Sequence, residues 1–65
     1  MRVGPVGLLV IRVWVEEGSE RPLRAEVKST SDTRLGFDRQ ATLSEAEAVV
    51  ALISAWLQET LNTRA

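Results

Sequence analysis

The chain has no cysteine, no histidine and no tyrosine, and its only aromatic side chains are Trp14, Phe37 and Trp56. Without cysteine there is no disulfide to brace a small fold, and without cysteine and histidine structural zinc loses its favoured ligands, leaving carboxylates for a hard cation. The same absences remove cysteine nucleophiles, histidine-assisted serines and a phenolic acid or base. No apolar run approaches the ~18 residues that would cross a bilayer. Met1 to Gly7, "MRVGPVG", is too short in apolar length for a secretory signal, so a cytoplasmic location is the expectation. Charge is scarce in either direction: eight Lys and Arg against nine Asp and Glu give a net charge of −1. A protein whose main task is to neutralise phosphates carries more positive charge than that.

What remains is ordinary for a folded domain, with 45% hydrophobic and 26% charged residues. Sixty-five residues make one domain, residues 1–65, and a chain of this size buries only about 60% of the surface its unfolded form exposes. Such a domain needs a brace. With disulfides and zinc gone, association with another chain is the one left.

Residues 1–7 hold two glycines and a proline and read as an irregular N-terminal arm. "LLVIRVWV", residues 8–15, has the length and β-branched content of a strand, with Leu9, Ile11, Val13 and Val15 on one face and Leu8, Val10, Arg12 and Trp14 on the other. "EEGSERP" is loop chemistry. "LRAEVKS", residues 23–29, alternates Leu23, Ala25 and Val27 with Arg24, Glu26 and Lys28, a half-buried strand. An antiparallel hairpin with Val15 opposite Leu23 aligns the apolar faces of both strands. It also sets Trp14 beside Arg24 and Arg12 beside Glu26, two favourable cross-strand pairs. "STSDT" is a turn, and "RLGFDRQ" places Leu35 and Phe37 at strand spacing, giving a third strand over residues 34–39 with Gly36 as a bulge marker.

From Thr42 the period changes to that of a helix over about residues 43–61. Thr42 with Glu45, or Ser44 with Glu47, fits a capping box, and Ala46, Val49, Val50, Ile53, Leu57 and Leu61 form a stripe with Trp56 at its margin and Leu52 outside it. The expected fold is therefore α+β, β-β-β-α, a two-layer sandwich in which one helix covers the odd-numbered face of a three-stranded antiparallel meander. No motif in it identifies a family.

Chemistry is sparse. Glu26 and Asp38 are the one carboxylate pair that strands two and three could bring together, but a chain this small folds no cleft around them to perturb a pKa, so no catalytic residue, cofactor or metal site is expected. "GPVG" lacks the lysine and length of a phosphate loop. The hydroxyls of "STSDT" are a plain turn.

The informative feature is the first strand. One helix leaves Leu8, Val10 and Trp14 on the outer face with only the stems of Arg12, Arg24 and Lys28 to shade them. If strand order follows chain order this strand is also an edge, a template for pairing with another chain. The expected function is a non-enzymatic protein–protein interaction module, a homodimer or a subunit of a larger assembly, with Leu8, Val10, Arg12, Trp14 and Arg24 binding the partner. The alternative is a weak single-stranded nucleic-acid binder, with Trp14 stacking on bases and Arg12, Arg24 and Lys28 on phosphates. Against it stand the lone aromatic and Glu26 in the middle of those cations.

Overall fold

The computed structural model describes residues 4–62. Its elements are β1 (Leu8–Val15), β2 (Leu23–Thr30), a 3-10 turn (Thr33–Leu35), β3 (Arg39–Leu43) and α1 (Ala46–Asn62). The sheet is antiparallel in the order β1-β2-β3, so the chain folds as β-β-β-α with β1 and β3 at the two edges. Residues 4–7 form the irregular arm, held where the Thr33 N–H donates to the Val6 carbonyl at 2.9 Å.

The hairpin register is the expected one, among those that residue parity allows: Val15 faces Leu23, Val13 faces Ala25, Ile11 faces Val27, Arg12 faces Glu26 and Trp14 faces Arg24. Its connection closes where the Glu16 N–H donates to the Pro22 carbonyl at 2.7 Å. Proline can sit there because only its carbonyl is used. Gly18 takes φ 87°, a left-handed backbone that favours glycine.

The third strand begins five residues later than the spacing of Leu35 and Phe37 predicts. Asp32 sits just before residues 33–35 and its carboxylate accepts from the Arg34 N–H at 3.0 Å, which winds that segment into the 3-10 turn. Gly36, at φ 78°, ends the turn and is not a bulge, and it leaves Leu35 and Phe37 at the surface. The strand forms instead at the next alternating stretch, where Ala41 faces Val27 and Leu43 faces Ala25. Thr42 is thus a strand residue opposite Glu26 and caps nothing.

The helix also departs from expectation. Taking about 100° per residue, the apolar side chains from Leu52 round to Leu61 span about half its circumference, more than a three-stranded sheet can cover. The half-buried positions are Ala48, Val49, Leu52, Ile53 and Trp56, centred about 90° away from the predicted stripe. Leu52 and Trp56, predicted outside and at the margin, face the sheet, while Val50, Leu57 and Leu61 are 65%, 50% and 54% exposed. Two ion pairs accompany this roll: Arg39 to Glu59 at 2.7 Å and Arg21 to Glu45 at 2.8 Å. Within one chain no helical residue is fully buried, and the only buried apolar side chains among the described residues are Ala25 and Val27, both on β2.

Candidate interaction surface

The odd-numbered face of the sheet is dry at its centre and wet at one side. Val27 on β2 is 2% exposed, whereas Val13 and Val15 on β1 are 56% and 65% exposed. The helix lies over β2 and β3, where Leu52, Ala55 and Trp56 line a cleft of about 490 Å³ with Val27, Ser29 and Ala41. It does not reach across β1. The expectation that the helix covers this whole face is corrected here: it is set over β2 and β3, to one side of the sheet, and Val13 and Val15 of β1 lie outside its cover.

The sense of the helix can be read from its contacts. Glu59 reaches Arg39 on β3. On the other side, Trp56 lies so close to Gly7, just before β1, that a Cβ on Gly7 would stand 3.1 Å from the indole Cζ2. Turning from Glu59 through Trp56 leads next to Ile53, then Leu57, Val50 and Leu61. This second apolar stripe therefore lies on the β1 side of the helix, directed about 120° away from its own sheet-facing side. Two uncharged apolar strips result, one of Ile11, Val13 and Val15 on the sheet and one of Val50, Leu57 and Leu61 on the helix.

The even-numbered face carries the residues named from the sequence. Leu8, Val10, Arg12 and Trp14 all project there from β1, opposite Thr30, Lys28, Glu26 and Arg24. Trp14 is 36% exposed, and the guanidinium over its ring is that of Arg12, 5.0 Å from the ring centroid, two residues along the same strand. Arg12 also meets Glu26 at 3.5 Å, and the Gln40 amide donates to the other Glu26 oxygen at 3.2 Å. Arg24, although opposite Trp14 in register, turns toward the loop: its Nε lies 2.7 Å from Glu16, and its Nη1 donates to the carbonyls of Leu23 and Arg21. The glutamate that claims Arg24 sits in the connection, where strand pairing gives no signal. Leu8 and Val10 remain accessible.

Away from that face, Asp32 pairs with Arg34 and Glu59 with Arg39. The Arg34 side chain donates to Asp32 and, with the Arg34 backbone N–H, holds that carboxyl below the usual carboxylate range. Arg39 does the same to Glu59, first by hydrogen bonding and then by charge. Glu26 and Asp38 are not brought together, since Glu26 pairs opposite Thr42 while the Asp38 N–H donates to the Ser29 carbonyl. Among the described residues no cluster of acidic side chains could hold a metal, and no helix is long and apolar enough to cross a membrane.

No family model, curated protein or solved structure matches the chain.

Proposed function

We propose that this chain is a non-enzymatic protein–protein interaction module of the cytoplasm, a homodimer or a subunit of a larger assembly, that engages protein through the edge and outer face of β1. The observation that carries the reading is that β1, eight residues long with a single charge, is an edge strand whose side chains are nearly all exposed. Only Leu9 in it is half-buried. An edge of that length and apolarity, guarded by one arginine, pairs readily with a further strand. Leu8, Val10 and Trp14 supply the apolar contact, and Arg12 and Arg24 frame it.

The ion pairs on this face speak against the nucleic-acid alternative. Arg12 and Arg24 are already engaged by Glu26 and Glu16, and Arg12 occupies the face of Trp14 on which a base would stack.

Light scattering and sedimentation of the wild type, Trp14→Ala and Val10→Glu test the reading. Association at micromolar concentration that both substitutions weaken is expected. A wild type that stays monomeric, or an assembly indifferent to both changes, refutes it.

A further inference from the structure

The inner strip of β1 and the free flank of the helix raise a separate question, because neither belongs to the outer face. We infer that a second copy of this chain covers them, in a two-fold dimer where the helix flank of each copy, Val50, Leu57 and Leu61, lies on the inner face of the other copy's β1, Ile11, Val13 and Val15. This goes beyond the outer-face reading and leaves the β1 edge and Trp14 available to a further partner.

Three observations lead there. First, the surface is too large for a lone chain. A compact monomer of 7.2 kDa exposes about 4,100 Å², and this chain exposes 5269 Å². The difference, roughly 1,100 Å², is taken over the whole chain. The six side chains of the two separate strips together expose on the order of 500 Å² per chain. Doubled over two copies, the strips supply about 1,000 Å², the lower limit for a specific interface.

Second, the strips are complementary to each other in kind. A bare sheet face needs a helix, and a bare helix flank needs a sheet. Each chain offers one of each, so a two-fold axis satisfies both needs with the same contact made twice, which is the definition of an isologous interface. The chain cannot make that contact internally, because the flank points about 120° away from its own sheet-facing side. The Arg39–Glu59 and Arg21–Glu45 pairs accompany that orientation.

Third, charge does not oppose the pairing. The positions that build the two strips are uncharged, and a net charge of −1 per chain gives two copies little mutual repulsion. A foreign partner would have to provide both a helix and a strand at the same angle; a second copy has them already.

The test combines association with cross-linking, using Val13→Glu and Leu57→Glu on the two strips and Val10→Glu on the outer face. The inference expects a wild-type dimer at micromolar concentration, its dissociation constant raised more than about tenfold by each strip variant. Because the chain has no cysteine, Val13→Cys and Leu57→Cys can also be made in separate chains, mixed and treated with a short bis-maleimide. A covalent pair of unlike chains is expected at 13–57, and none when Val10→Cys replaces Val13→Cys. The cross-link decides the matter should a glutamate variant fail to fold. A monomeric wild type overturns both this inference and the outer-face reading. A dimer that Val10→Glu dissociates while both strip variants leave it intact, without the 13–57 cross-link, overturns this inference alone. Dissociation by the strip variants together with the cross-link supports it, whatever Val10→Glu does.

Discussion

Val27 and Val13 are the same residue on the same face of adjacent strands, and truncating each to alanine measures how far the helix dries the sheet. Val27 is 2% exposed, so Val27→Ala removes two buried methyl groups at about 0.8 kcal/mol each, and the cavity they leave raises the cost to about 2 kcal/mol. Val13 is 56% exposed in one chain. Its truncation should then cost only about 0.7 kcal/mol, the share of the same transfer free energy that is already realised. If a second copy covers the strip, the cost rises toward that of Val27→Ala. Urea unfolding followed by tryptophan fluorescence reads both, provided the slopes of wild type and variants agree. The expected result is a Val27→Ala loss that is large at every chain concentration. Val13→Ala should match it in concentrated solution and fall toward the smaller figure on dilution. A Val27→Ala loss under about 0.5 kcal/mol would refute the placement of the helix over β2, since a truncation costs that little only at a wetted surface position.

Three further outcomes follow from local geometry. Gly18→Ala meets no neighbour within 4 Å but forces φ 87° on a residue with a Cβ, so it should cost about 1 kcal/mol in thermal or urea unfolding, with Gly18→Asn costing less. The folded pKa of Glu59 lies below its unfolded value, so the stabilisation from Arg39 is complete above about pH 4.3 and is lost as pH falls through the lower folded value. Stability measured between pH 6 and pH 2 should therefore fall less steeply in Glu59→Gln than in the wild type. Gly7→Ala would place its Cβ 3.1 Å from Trp56 and 3.2 Å from the Thr30 carbonyl, and it should shift the emission of Trp56, read in a Trp14→Phe background.

The hairpin was legible because two independent constraints agreed. The apolar residues of both strands share a face whenever odd positions meet odd positions, and of these registers the one with Val15 opposite Leu23 also matches Arg12 with Glu26. The existence of a third strand was legible too, but its position was not, because the competition was local: the Asp32 carboxylate offers the Arg34 N–H a partner inside a tight turn, and Leu35 and Phe37 give up strand geometry to it. The roll of the helix was hidden for a different reason. Its apolar residues cover about half the wheel, and periodicity cannot say which part of so broad an arc meets the sheet. Of the candidate surface, parity placed Leu8, Val10, Arg12 and Trp14 correctly on one face. It could not reveal that Arg24 turns to Glu16, which lies outside both strands, nor that Val13 and Val15 on the opposite face stay more than half exposed. That exposure depends on how far sideways the helix sits, a quantity no single strand encodes.

The two borders of the sheet are unequal. β3 is five residues long, begins with Arg39 and Gln40 and has its first guanidinium tied to the helix, whereas β1 is longer and open. β1 therefore offers a further strand the longer run of backbone to pair with. Two molecules that meet there by antiparallel pairing use the longer margin of each, and what they present outward is the five-residue rim of β3. Strand addition at that margin ends with a single partner, so any larger particle has to be built through a different surface.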